Sequence, residues 1–157
     1  MEGLSILVRQ ADRVLLYDTG PELEGVYSAA ESVLVPNLKA LGIARIDTLV
    51  ISHGDNDHSG GVPLLLKNFA VGQLLTGEPA RLAARLGAHA DVAIGSCAGA
   101  VETRNPGFVS WQSGGRPEGN DASCVLTFVF NEGRQELILS GDITAGAEQA
   151  FLAENHE

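Results

Sequence analysis

Residues 52–61 read S-H-G-D-N-D-H-S-G-G, which places His53, Asp55, Asp57 and His58 within six positions directly after the apolar run Leu49-Val50-Ile51. A lone histidine or aspartate here would be read as a helix cap or a solvated loop residue. Four metal-ligating side chains at this spacing read instead as a site. On an extended loop, residues 53, 55 and 57 project to one side, while the adjacent Asp57 and His58 diverge and can serve two different ions. The imidazoles suit zinc, manganese or iron, and the carboxylates harden the site toward manganese. Gly54, Gly60 and Gly61 would let backbone come close to the metals. Asp142 is a fifth candidate ligand, because it too ends an apolar strand, in Leu137-Ile138-Leu139-Ser140-Gly141-Asp142.

Working outward, the three consecutive apolar residues before the cluster fit a strand, Ile46–Ser52, buried on both faces. Leu4–Arg9 and Val14–Tyr17 read as a hairpin across Gln10–Arg13, and the second strand stops at Asp18-Thr19-Gly20-Pro21. Ser28 with Glu31 forms a capping box that opens a helix to Leu41, kinked or restarted at Pro36 and closed by Gly42. A helix follows Gly61 through Phe69, then a strand Val71–Leu75 and a helix Pro79–Leu86, giving the order ββαβαβα. Ala90–Trp111 mixes small residues with short β-like stretches, and Ser113–Asn120 is a polar loop. Cys124–Phe130 and Glu136–Ser140 form a second hairpin, and a helix closes the chain. The 157 residues read as a single layered α/β domain spanning 1–157.

Composition excludes several classes. At 45% hydrophobic and 19% charged, the chain can bury a core and is not disordered. No apolar run approaches a membrane span, and the start lacks a signal-peptide pattern. Ten basic against twenty acidic residues give a net charge of −10, which repels phosphate backbones unless bound cations or a local basic patch reverse the field. Cys97 and Cys124 form no C-x-x-C motif and read as small buried side chains, with a disulfide open to them if the fold brings them together in an oxidising compartment. His89 reads as a surface loop residue, His156 as a frayed terminus and Trp111 as core or rim. No dinucleotide fingerprint, P-loop or nucleophile elbow occurs.

The pattern H-x-D-x-D-H-S-G-G, with L-L-Y-D-T-G-P upstream (15–21) and L-S-G-D downstream (139–142), resembles the metallo-β-lactamase superfamily, whose usual form is H-x-H-x-D-H. The V-P-N-L-K-A-L-G-I segment (35–43) and N-D-A-S-C-V-L segment (120–126) narrow the likeness to the C-terminal domain of the ComEC family of DNA-internalisation competence proteins, over roughly residues 3–153. The resemblance implies an αββα four-layer sandwich with two divalent ions, manganese or zinc, where the sheets meet. It assigns His53 and Asp55 to one ion, Asp57 and His58 to the second, and Asp142 as the bridge, with hydrolysis by metal-bound hydroxide centred on Asp57 and His58. Asp18 would support the ligands, and Asn120 stands where many relatives carry a further histidine, so it would be a weak ligand.

The family's membrane-channel segments and its H-H-G-S-type motif do not occur in the 157 residues. On the resemblance, the chain reads as an extracytoplasmic piece of a larger cell-membrane protein, cut short at its C-terminus. It is expected to fold, hold ions weakly and turn over poorly by itself. The function implied is a phosphodiesterase acting on incoming DNA, with DNA and the parent protein's channel as partners. Two readings compete with it: an ester, thioester or lactone hydrolase on the same fold, and a non-catalytic module that binds DNA or the channel and keeps a vestigial metal site.

Overall fold

Leu49, Val50 and Ile51 are all fully buried because successive side chains of one strand enter two different cores. The computed structural model of the chain describes residues 3–89, 91–104 and 107–155, without the His89 side chain. That strand, β5 (Arg45–Ile51), is the centre of a five-stranded sheet. On one side it runs parallel to β2 (Arg13–Tyr17), which pairs antiparallel with the edge strand β1 (Ile6–Gln10). On the other it runs parallel to β6 (Ala70–Thr76), followed by β7 (Ile94–Ser96). A second, antiparallel sheet has the order β11 (Gln135–Leu139), β10 (Val125–Phe130), β9 (Phe108–Trp111), β8 (Val101–Glu102). A short ribbon, β3 (Glu22–Leu23) and β4 (Tyr27–Ser28), lies between β2 and the first helix.

The outer core joins Leu16, Leu49, Ile51 and Leu74 to the helices α1 (Val35–Ala40), α3 (Val62–Asn68) and α4 (Pro79–Leu86). The inner core, between the sheets, takes the opposite faces: Leu15, Tyr17 and Val50 against Phe108, Leu126, Phe128 and Leu139. The terminal helix α5 (Ala145–Asn155) covers the far side of the second sheet, where Phe151 meets Trp111 edge-on at 5.4 Å and Trp111 Nε1 donates to Glu154 at 2.7 Å. The layer order is therefore αββα, as the resemblance implies.

The differences from the sequence reading have local causes. The helix after Ser28 begins as a π-helical turn, Ala30–Leu34, in which the Val35 N–H reaches back to the Ala30 carbonyl. Pro36 has no N–H to continue the ladder, so α1 restarts there with the proline in its first turn. Ser28 Oγ does accept the Glu31 N–H, at 3.2 Å, which is half of the expected capping box. Most important for function, the stretch expected as an extended loop is partly helical: Asn56–Ser59 forms a single turn, α2. His156 and Ala90 lie outside the described residues.

Cys97 and Cys124 form a disulfide, both fully buried in the inner core. The bond ties the segment after β7 in one sheet to the start of β10 in the other. It closes a sequence separation of 27 residues, and replacing both cysteines by serine is expected to lower stability by about 3–4 kcal/mol on the chain-entropy account. Chemical denaturation of the variant against the oxidised parent checks this.

Candidate metal centre

Parallel pairing of β2 with β5 brings two carboxyl strand ends side by side, where ligands commonly gather in α/β sheets. Asp18 follows β2 and is fully buried. Its N–H donates to the Val50 carbonyl at 2.8 Å and its φ is +61°, a left-handed conformation that aspartate tolerates better than most residues. Its carboxylate turns onto the end of β5. Oδ1 accepts the Ser52 N–H at 2.7 Å, and Oδ2 accepts both the Ser52 hydroxyl at 2.7 Å and His58 Nδ1 at 2.6 Å.

These bonds fix both imidazoles. His58 donates Nδ1–H to Asp18, so Nε2 faces the open side, 3.1 Å from Asp142 Oδ2 and 3.5 Å from Asp57 Oδ2. Ser52 Oγ has given its only proton to Asp18, so the contact with His53 Nδ1 at 3.0 Å requires His53 to be the donor. His53 Nε2 is then the bare nitrogen. It is buried without a hydrogen-bond partner among the described residues, and Asp55 Oδ2 at 3.4 Å is within ion-pair reach only. The two rings lie 4.4 Å apart between centroids. One ligand atom each from His53, His58 and Asp142 falls within 4.8 Å of the others. An orphaned buried nitrogen beside a second imidazole and a carboxylate fits a divalent cation, and the Asp18–His58 pair is the carboxylate–histidine support such ligands usually have.

The surrounding segments hold this arrangement. Thr19 receives the α2 turn through its N–H and hydroxyl, both bound to the His58 carbonyl at 2.8 and 2.9 Å, and its Oγ1 accepts the Gly61 N–H. Ser123 Oγ accepts the Asp142 N–H at 3.2 Å and lies 3.2 Å from His53 Nδ1, so it links the second sheet to the first. Cys124 N–H donates to the Ser52 carbonyl and Tyr17 Oη to the Cys124 carbonyl, at 2.9 and 2.6 Å. The glycines act differently from the sequence expectation. A side chain at Gly54 would meet Arg81 Cδ at 2.5 Å, and at Gly60 the Glu22 amide nitrogen at 2.5 Å. Their smallness lets protein segments pack together.

Charge follows the same geometry. Burial works against a protonated His58, but its hydrogen bond to Asp18 and the charges of Asp18, Asp142 and Asp57 outweigh it and raise the imidazolium pKa to about 9. Burial raises the Asp18 pKa, opposed by the His58 and Ser52 hydrogen bonds. Burial also pushes Asp55 upward, and the hydrogen bond and charge of Arg81 overcome it and hold Asp55 below its ordinary range.

Of the residues singled out from sequence, His53, His58, Asp142, Asp55, Asp57 and Asp18 meet at one place. Asn120 is exposed on the 3-10 turn Gly119–Ala122, and its carbonyl accepts the Ser123 N–H. Ser52, Ser123, Thr19 and Arg81 were not singled out. Polar residues at the ends of otherwise apolar strands were the available signal for the serines.

The whole chain has known counterparts. A family model described as the metallo-beta-lactamase superfamily matches residues 2–155. Competence protein ComA of Neisseria gonorrhoeae is 34% identical over 167 residues, covering 96% of this chain and 20% of that protein. Recombination protein 2 of Haemophilus influenzae is 30% identical over 154 residues, covering 96% and 18%. This chain therefore spans about a fifth of these relatives. Among solved structures, the Rm3 metallo-beta-lactamase superposes with a TM-score of 0.58 at 23% identity, over 88% of this chain and 55% of that one.

Replacing Asp18 by asparagine tests the support directly. The amide sets a donor against at least one of three donors, which is expected to cost about 2–4 kcal/mol of stability. Zinc affinity should fall about 10–100-fold as His58 loses its orientation. Denaturation and calorimetric zinc titration measure the two, and unchanged zinc affinity would show that His58 is oriented by other contacts.

Proposed function

The chain belongs to the metallo-β-lactamase superfamily, and from that premise we propose that it is the hydrolase domain of a DNA-uptake protein, a metal-dependent phosphodiesterase acting on incoming DNA. One observation carries the metal dependence: the unpartnered, buried Nε2 of His53 beside His58 Nε2 and Asp142. The DNA substrate rests on likeness to a competence protein and a recombination protein.

His53 and Asp55 would hold one divalent ion, Asp57 and His58 a second, and Asp142 would serve both; manganese and zinc both suit this mixed donor set. When bound, such ions supply Lewis acidity that acidifies water and stabilises the attacking and leaving oxygens of an in-line displacement. The chain's own groups do the rest. Asp18 keeps the His58 ring in one tautomer and orientation. Asp57, 43% exposed at the mouth, would orient an attacking water and take its proton at Oδ2. Asn120 is a weaker candidate at the edge, joined to the site through Ser123. The parent's activity, its strand preference and an extracytoplasmic position beside a membrane channel belong to the same proposal. The buried disulfide supports an oxidising compartment. No described helix is long and apolar enough to cross a membrane.

A lactone or thioester hydrolase would use the same ligands, so substrate tests decide. With manganese supplied, the chain is expected to cleave single-stranded or duplex oligonucleotides in preference to thioester and lactone substrates. A preference for the uncharged substrates, with DNA left intact, would sink the phosphodiesterase reading.

Asp57→Ala should lower the cleavage rate more than 100-fold, while stability changes by no more than about 0.5 kcal/mol because the side chain is exposed. Asp55→His should retain a metal site and shift its preference from manganese toward zinc, since imidazole replaces a hard oxygen donor. Metal titrations of both variants and cleavage assays of the first are the measurements.

A further inference from the structure

We infer that Arg81 and Arg85 of α4 form a phosphate-binding edge beside the cluster, gripping a backbone phosphate that flanks the scissile one on a nucleic-acid strand. The inference rests on the phosphodiesterase reading and names the surface that would position its substrate.

The sequence of α4 sets the arrangement. Leu82 and Leu86 are buried in the outer core, which fixes the rotation of the helix. Arg81 and Arg85, each one position earlier, are likewise i and i+4 and share a neighbouring face. That face meets the loop that carries the cluster. Arg81 Nη2 lies 2.8 Å from Asp55 Oδ1, and Arg85 Nη1 donates to Asn56 Oδ1 at 3.2 Å. Among the described residues, Arg81 is the one arginine or lysine ion-paired with a carboxylate of the cluster.

Arg81 is held in place yet open. Its Nη1 donates to Glu78 Oε2 at 3.1 Å, and the same oxygen accepts the Gly54 N–H at 2.7 Å. Glu78 Oε1 also accepts the Gly119 N–H at 3.2 Å. One nearly buried carboxylate thus fastens the turn after His53, the turn bearing Asn120 and the base of the guanidinium. The Arg81 side chain is still 49% exposed, and a guanidinium has five donors, of which these contacts engage two. The guanidinium fork matches phosphate oxygens, and a tether that removes its rotamer freedom lowers the entropy lost on binding.

Electrostatics give the pair a purpose. The chain carries −10 overall, and Asp55, Asp57 and Asp142 crowd the mouth. Cations on the cluster can neutralise those carboxylates and the phosphate above them, but the next phosphate along a strand would face an acidic surface. Two arginines on the α4 edge offset Asp55 and Glu78 there, and cations that neutralise Asp55 would leave that edge positive. Ions that draw on Asp55 also weaken its hold on Arg81, which leaves more of the guanidinium for a ligand.

The test is the salt dependence of binding a fluorescent single-stranded phosphorothioate oligonucleotide, which keeps the backbone charge and resists cleavage, to this chain in the presence of manganese. Arg81→Ala and Arg85→Ala should each weaken binding roughly tenfold and reduce the slope of log affinity against log salt by about 0.7, with the double variant losing about 1.4. Arg81→Lys should keep the slope. Manganese titrations of the same variants separate this from a role in merely orienting Asp55, which would weaken manganese affinity and leave the slope intact. Slopes unchanged in both single variants and in the double variant overturn the inference while the phosphodiesterase reading stands. A parent chain that binds no oligonucleotide with manganese present overturns both.

Discussion

The buried carboxylate of Asp18 is the constraint around which the site is built. An anion with no exposure to solvent is tolerated only with strong donors on its oxygens, and here three donors meet it, two from Ser52 and one from His58. Those donors belong to the end of β5 and to the α2 turn, so satisfying one charge sets the position of both. The left-handed backbone at Asp18 is maintained because the parallel β2–β5 pairing, the Val50 carbonyl and the carboxylate's partners all require the same conformation. From this arrangement the tautomer of each histidine follows. His58 gives Nδ1–H to the carboxylate, Ser52 gives its hydroxyl proton to the same oxygen, and His53 must then donate to Ser52. The unpartnered Nε2 of His53 and the Nε2 of His58, which faces Asp142 Oδ2 at 3.1 Å, end up on the side where Asp142 arrives from the second sheet.

Much of the fold was legible because two sheets sharing an inner core write themselves into β5 and β2 as continuous apolar runs. Leu15, Leu16 and Tyr17 alternate between the cores as Leu49, Val50 and Ile51 do, and the sequence shows hydrophobicity without a surface face. The site was legible in composition: His53, Asp55, Asp57 and His58 are neighbours in the chain, and Asp142 ends its strand as they follow theirs. The local geometry was less so. An extended loop and a helical turn place Asp57 and His58 differently, and the turn is set by tertiary bonds from Thr19 to the His58 carbonyl, across 39 residues. The disulfide was undetermined for the same reason. Cys97 and Cys124 meet only because the end of the first sheet folds over the start of β10, a closure that spacing alone does not encode.

The contacts between the sheets are coupled to the site. Cys124 lies beside Ser123, its N–H binds the Ser52 carbonyl, and its own carbonyl accepts the Tyr17 hydroxyl. Ser123 receives the Asp142 N–H. The inner core, the disulfide and the junction that brings Asp142 to the histidines therefore share a few residues. A shift of one sheet against the other would move Asp142 away from His58 Nε2 while leaving the Asp18–His58 pair, which lies within the first sheet and its loop, largely in place. Of the candidate ligands on the two sheets, Asp142 is thus the one most sensitive to packing between them.

An acidic domain meets an electrostatic difficulty if its substrate is a polyanion, and the distribution of charge answers it more than the total does. Ions would offset the carboxylates at the centre, where a reacting phosphate would sit. They cannot do so at a distance, because solvent ions screen exposed charges beyond roughly 8–10 Å. Flanking phosphates need cations of the protein itself, placed within contact distance. α4 provides two on the face next to the Asp55–Asn56 segment, and its buried Leu82 and Leu86 prevent that face from turning away. Arg81 also opposes the cluster's negative charge before any metal arrives, so the residue that would aid the substrate also moderates the attraction of Asp55 for cations. On the proposed reading, the requirements of a stable metal-free fold, of metal uptake and of strand binding meet at one guanidinium, whose pairing with Asp55 would loosen as an ion and a phosphate arrive.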